Sequence, residues 1–335
     1  MMRKARGALV ALLFVVTAGG MAHASPTVLN PPTLQPVCSH YPVFINNPGS
    51  YVLGANFVVP CDKTAIEIRT DNVTLDLDGF SIIGVGGPGS GVGISAQTHS
   101  NITVKNGSVL KMPGGGIALG ANANVADVTS SGSNGQGIEF SSGTIRRVHS
   151  DGNGGVGILA DSSTNSSTIA DSEASGNVGP GINAGPAIIS GNTAKSNGGS
   201  DAIGCTADCS VLGNVVQDNL SVGIFCDGVC TIANNTSTGN ADEGIFSTGQ
   251  ITNNTVSDNQ GDGIHMFGPT SSAVTNSVGG NTLFGIKADS ALSSFGNNQI
   301  SFNNGETDAT PKTKPQTSGG VQISPNICDG NTTCP

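Results

Sequence analysis

The sequence predicts an all-β solenoid, a single-stranded parallel β-helix of about ten or eleven coils. Three observations lead there. Asparagines five residues apart recur on a fixed grid: Asn192 and Asn197, Asn214 and Asn219, Asn235 and Asn240, Asn254 and Asn259, Asn276 and Asn281, Asn298 and Asn303. An isoleucine follows the first five pairs, at Ile203, Ile224, Ile245, Ile264 and Ile286. The same position reaches back through Ile182, Ile158, Ile138, Ile117 and Ile94, with neighbouring copies 19 to 24 residues apart. Finally, 50 glycines and 16 prolines, with abundant Asn, Ser and Thr, disfavour helix, while apolar residues come in short alternating bursts. Ile66 and Ile68, then Val73, Leu75 and Leu77, are such bursts.

A repeat of about 21 residues is long enough for three short strands and three corners, which is one coil stacking on the next at roughly 4.8 Å. Like residues then fall over like residues. The asparagines become two ladders, whose amides bond to the next coil and to corner backbone that would otherwise lack partners. Ile158, Ile182, Ile203, Ile224, Ile245, Ile264 and Ile286 become one inward row. Residues two places on, from Phe140 and Ala160 through Ala184, Cys205, Cys226, Ser247, Met266 and Ala288, also point inward. Leucine-rich repeats, propeller blades of about 40 residues and calcium-binding nonapeptides all have periods or signatures that this chain lacks.

The ends read differently. Residues 1–24 have a basic start, an apolar run and a terminal Ala22-His23-Ala24, the pattern of a secretory signal peptide. The apolar run is short for a membrane span and no similar stretch follows, so no stable span is expected once it is removed. Residues 25–62 are expected to cap the first coil, residues 63–304 to form the solenoid, and residues 305–335 to be a linker and a disulfide-closed tail. Capping has a purpose, because an open solenoid end exposes unpaired strand edges.

The formal net charge of −10 becomes −13 without Arg3, Lys4 and Arg6, and no basic run remains. That excludes nucleic acid as an expected partner. Eight cysteines fit an exported protein, placed in the periplasm, at the cell surface or outside the cell. Cys38 with Cys61 and Cys328 with Cys334 are expected disulfides. Cys205 and Cys209 are matched one repeat later by Cys226 and Cys230. Structural disulfides are preferred there over metal ligands, since no further thiol or histidine is close by. The spacing leaves open whether each bond stays within a repeat or joins two. No metal or other cofactor is expected, and no motif supports calcium.

Residues 41 to 84, YPVFINNPGSYVLGANFVVPCDKTAIEIRTDNVTLDLDGFSIIG, resemble the opening of secreted right-handed parallel β-helix proteins. The later Gly-Ile and Asn-x4-Asn units resemble the repeat shared by pectin-lyase-like folds and NosD-like periplasmic proteins. The resemblance spans residues 41 to 304 and implies a right-handed solenoid. Because that solenoid carries lyases, hydrolases, epimerases and proteins without a known reaction, it does not carry an activity. The paired-Asp and Arg-Ile-Lys motifs of polygalacturonase-like enzymes are absent, and GDGIHMF lacks the second acid of the epimerase-like DPHD pattern.

No residue is assigned as catalytic from this alone, but two clusters stand out on otherwise uncharged faces. Arg146, Arg147, His149 and Asp151 lie together in TIRRVHSDGNG, either as a uronate-binding, proton-moving group or as a solvated corner. Asp262, His265 and Lys287 form the second cluster, with His265 and Lys287 in equivalent outward slots one coil apart and Asp262 expected to orient His265. The outward row runs Leu159, Asn183, Gly204, Phe225, Phe246, His265, Lys287. Phe225, Phe246, His265 and Lys287 are therefore the expected ligand-binding residues, the two phenyl rings as a flat platform for sugar rings. Two functions are expected from this pattern. One is an exported protein that binds or processes extracellular polysaccharide, including uronate-containing chains, as a lyase, hydrolase, epimerase or binder. The other is a non-catalytic, adhesin-like structural protein. A monomer or weak oligomer is expected in either case.

Overall fold

The computed structural model describes residues 25–32, 38–305, 314–329 and 334; the signal-peptide reading of residues 1–24 lies outside them. Parallel strands stack into a right-handed solenoid of about twelve coils, with essentially no helix. Each coil contributes a first, second and third strand, and every ladder pairing is parallel. Among the described residues no helix is long and apolar enough to cross a membrane.

The register follows the sequence grid. Ile158 pairs with Ile182, Ile182 with Ile203, Ile203 with Ile224, Ile224 with Ile245, Ile245 with Ile264 and Ile264 with Ile286. All are fully buried, as are Phe140, Cys205, Cys226, Ser247 and Met266 in the adjoining inward row. Period-two alternation alone decides this, because a strand turns successive side chains to opposite faces.

The ladders form as expected and run further. Asn219 shows their logic: its amide donates to Ala194 O at 3.1 Å and to Asn240 Oδ1 at 2.9 Å. Its own Oδ1 accepts from Asn197 N at 2.9 Å. Upstream, Asn153 and Asn177 extend the same ladder. Downstream, Gln316 ends it, accepting from Asn303 N at 2.9 Å and donating back to Asn303 O at 3.0 Å. The residue before each rung turns left-handed, as at Asp218 (φ 55), Asn234 (φ 59), Asn253 (φ 56) and Asp258 (φ 58). Asn and Asp tolerate that conformation better than other side chains.

The Gly-Ile unit has a steric cause. A Cβ on Gly244 would collide with Val256 and lie 2.6 Å from Asn259 Nδ2; one on Gly263 would collide with Val278 and lie 2.7 Å from Asn281 Nδ2. The next coil's core and ladder therefore press directly on this backbone.

Both end segments pair with the stack. Thr27–Leu29 pairs with Gly49–Leu53, and Val43–Ile45 pairs with Ile66–Ile68, so the ladder begins inside the segment read as a cap. Thr317–Ser318, Val321–Gln322 and Ile327–Cys328 extend all three stacks beyond residue 304. These end coils carry little of the repeat sequence yet still satisfy the edges, which raises the count above ten or eleven. Cys38–Cys61 and Cys328–Cys334 are bonded as expected, and the middle four pair within their own coils, Cys205–Cys209 and Cys226–Cys230.

Candidate functional site

The outer face of the first-strand stack carries the candidate site. Gly204 pairs with Phe225, Phe225 with Phe246, Phe246 with His265 and His265 with Lys287, so the outward row exists in the expected order. Upstream, Leu159 and Asn183 line a shallow depression with Asp161, Ser162, Gly185 and Thr206. From Leu159 to Lys287 the row crosses six coil spacings, roughly 29 Å.

The phenyl rings do not form the flat, exposed platform expected. Phe225 and Phe246 are half-buried, 5.7 Å apart between ring centres and tilted by 45°. Phe267, which the sequence reading missed, packs on both, 4.5 Å from Phe246 and 6.2 Å from Phe225. Phe246 also lies 4.7 Å from the His265 ring. Phe246 is tilted to both other rings while Phe225 and Phe267 are nearly parallel, at 10°, so the cluster presents edges as well as faces.

Beside them is a convergence of charge. His265 is 7% exposed, and both ring nitrogens face carboxylates: Nδ1 is 3.3 Å from Glu243 Oε1, and Nε2 is 3.1 Å from Asp289 Oδ2. Asp262, expected to orient His265, is farther, at 3.9 Å from Nδ1. Its other oxygen accepts from Phe284 N at 2.9 Å. Lys287 Nζ lies 3.7 Å from Asp262 Oδ2 and 4.0 Å from Asp289 Oδ1. The two cations are thus shared among Glu243, Asp262 and Asp289, with Asp242 alongside Glu243.

These contacts set the local protonation. A hydrogen bond to His265, against the cost of burial and helped by one to Asp242, holds Glu243 down at about 2. Partial desolvation, with the hydrogen bond and charge of Glu243, pushes Asp242 up to about 6. Burial raises Asp262 in spite of its backbone hydrogen bond and Lys287. Burial works against the His265 imidazolium, but Glu243 and Asp289 outweigh it and raise His265 above its ordinary value.

Glu243 and Asp289 were missed, although part of the signal was present. Glu243-Gly244-Ile245-Phe246 and Asp262-Gly263-Ile264-His265 place an acid two residues before the core isoleucine in successive coils. Asp289 gives no such signal, because it enters from the corner after its strand.

The other cluster does not join this one. Arg147, at a left-handed corner (φ 50), makes a two-pronged bond with Asp127 at 2.7 and 2.8 Å. His149 Nδ1 is 3.3 Å from Glu173 Oε2, and Asp151 Oδ1 accepts from Ser175 Oγ at 3.0 Å. Each is engaged by a neighbouring coil, on the second and third strands of the coil rather than the first, while Arg146 is exposed. Such solvent-facing pairs contribute little singly.

Fold, ladders and repeat together define a right-handed parallel β-helix repeat protein. The family model described as the right-handed beta helix region matches residues 90–246, and that described as periplasmic copper-binding protein (NosD) matches residues 183–331. Among solved structures, the chain is similar to the A-module of mannuronan C-5 epimerase AlgE6 of Azotobacter vinelandii, with 14% identity, a TM-score of 0.59, and coverage of 86% of this chain and 91% of that one. It is also similar to the AlgE4 A-module of the same organism, with 15% identity, a TM-score of 0.50, and coverage of 84% and 87%. Identity at this level establishes a shared fold. No curated protein matches the chain.

The copper named in one family description would, as Cu(I), call for thiolate or thioether ligands. Among the described residues every cysteine is in a disulfide, and Met266, next to His265, is fully buried in the core. The donor set is one imidazole with carboxylates, without the thiolates or thioethers that favour Cu(I). It does not fit that ion.

Proposed function

We propose that this is an exported polysaccharide-binding protein, and that a glycan chain lies along the outward row from Leu159 to Lys287. The observation that carries the reading is the Phe225–Phe246–Phe267 cluster, half-exposed on a linear face and flanked by a convergent polar group. Aromatic faces recognise the apolar faces of sugars, and polar groups beside them fix orientation. The polysaccharide-acting epimerase modules of like fold support this class of ligand, and the disulfides support export.

The local charge refines the ligand. A uronate would have been met by Lys287 and His265, but both cations are engaged by carboxylates that outnumber them. An added carboxylate would enter an already acidic neighbourhood. The site therefore favours a neutral, hydroxyl-rich chain. The structural, adhesin-like reading keeps one specific support: outside this face, charges such as Arg147 with Asp127 and Lys105 with Asp76 are paired across coils.

A panel of neutral and uronate-rich polysaccharides, assayed for binding and for new unsaturated ends, tests the proposal. Phe246→Ala is expected to weaken binding about tenfold or more, the loss typical of a truncated aromatic anchor. Lys287→Ala should have a smaller effect, and binding should change little with added salt, because exposed charges would not supply it. Absence of binding by the parent protein to every glycan, or a Phe246→Ala variant that binds as well as the parent, would turn the assignment to the structural reading.

A further inference from the structure

The histidine in this cluster has a carboxylate at each ring nitrogen. A neutral imidazole carries one N–H and one lone pair, yet His265 turns both nitrogens toward carboxylate oxygens. If Nε2–H donates to Asp289, the Nδ1 lone pair points between Glu243 and Asp262, at 3.3 and 3.9 Å from their oxygens. That lone pair and the two carboxylates converge on one point, where a bound cation would replace the second ring proton.

We propose that Glu243, Asp262 and His265 form a binding site for a divalent cation of the zinc class, held by His265 Nδ1, Glu243 Oε1 and Asp262 Oδ2. These three atoms lie within 4.8 Å of one another. Ligands about 2.0–2.2 Å from a tetrahedral metal sit roughly 3.4 Å apart, close to the observed 3.3 Å edge and reached by a small movement of Asp262. Three protein ligands leave a fourth position of a tetrahedral site for water or another ligand.

The surroundings match that role. Asp289 on Nε2 would fix the ring orientation and make Nδ1 a better donor, as carboxylates behind metal-binding histidines do. Phe284 N–H holds the Asp262 carboxylate in place at 2.9 Å. Asp242 adds a fourth carboxyl beside Glu243. Lys287 is the competing cation: its ammonium sits 3.7 Å from Asp262 Oδ2 and 4.0 Å from Asp289 Oδ1, on a side chain that is 34% exposed. This inference does not depend on sugar binding, and Lys287 separates the two. Its removal should weaken a glycan contact but strengthen a metal site.

The test is calorimetric titration of the chelator-treated, disulfide-intact protein with zinc chloride in the absence of any glycan. One zinc per chain is expected. Binding should be lost in Glu243→Gln and His265→Gln, weakened about 10- to 100-fold in Asp289→Asn, and tightened in Lys287→Gln. Thermal melts in chelator identify any variant that fails to fold. Should His265→Gln be one, Glu243, with its side chain 18% exposed against 9% for His265, still carries the test. The site is overturned if the parent takes up no zinc, if Glu243→Gln binds as the parent does, or if Lys287→Gln binds more weakly. A parent that binds zinc but no glycan upholds this site and removes the polysaccharide reading alone.

Discussion

At the scale of single residues, stability rests on side chains that serve two coils at once. Asn219 is 2% exposed and satisfies backbone groups of its own coil and the preceding one. Replacing it with Ala strands buried partners, including the Asn197 N–H, and should cost about 1–3 kcal/mol. Chemical denaturation of Asn219→Ala beside Asn240→Ala checks this, and unchanged midpoints in both would contradict the ladder account. Asp201 shows the opposite case. It is 7% exposed, its carboxyl bonds to Ser200 Oγ at 2.9 Å, and its Oδ1 has no partner. Burial raises its pKa above the ordinary 3.8, against the help of Ser200. A carboxyl raised on folding favours the folded state fully below its unfolded value and loses that contribution as pH rises through the folded one. Asp201→Asn should therefore melt above the parent at pH 7, with the gap closing as pH falls toward 3.8. A gap that is constant across that range would mean Asp201 does not titrate with folding.

At the scale of the element, the Gly-Ile strand is what brings the site together. Its glycine lets the backbone lie against the next coil's core, its isoleucine fills the interior, and the following residue projects outward, as Phe246 and His265 do. Gly244→Ala would drive a methyl into Val256 and crowd Asn259. The expected loss is about 1–3 kcal/mol, the usual cost of overpacking a filled core. A melt comparison with alanine placed at Gly213, where an added Cβ meets nothing within 4 Å, separates crowding from backbone conformation. Gly213 also has φ 63, so its own variant reports left-handed strain without collision. Equal losses at the two positions would discount packing as the reason for the Gly-Ile unit. The inward and outward rows were legible in the sequence because a two-residue alternation admits only two faces, and the core isoleucines fix which face is which. The Asp262–His265 relation was read less well, since the acids nearest the two ring nitrogens, Glu243 and Asp289, come from the preceding and following coils.

At the scale of the whole molecule, each coil contacts chiefly its neighbours, so stability is built from coil and interface contributions that propagate along the stack. The chain's acidity does not spread evenly. On the first-strand face Glu139 is raised by burial and by the charge of Asp161, and farther along stand Asp201, Glu243, Asp262 and Asp289. The other faces hold cross-coil pairs such as Arg147 with Asp127 and His149 with Glu173. A solenoid presents such differences as long stripes, and among the described residues the first-strand face gathers the Phe225, Phe246 and Phe267 rings beside carboxylates that outnumber their cations.

The sequence by itself determined the period, the two ladders, the inward rows and the order of the outward row from Leu159 to Lys287. These are local consequences of a repeat in register: stacking at one strand spacing turns equal positions into neighbours. The tertiary structure alone decided what the repeat does not encode. Thr27–Leu29 and Ile327–Cys328 join the ladder through backbone hydrogen bonds, which need no repeat side chains. Cys205 and Cys226 pair inside their own coils because the corner folds each chain back on itself. Phe267 and Asp289 reach the site from equivalent corner slots just after the first strand, one coil apart, and Glu243 from the coil before. Corner paths are set by packing rather than by period, so the charge around His265 became visible only when the coils were in place.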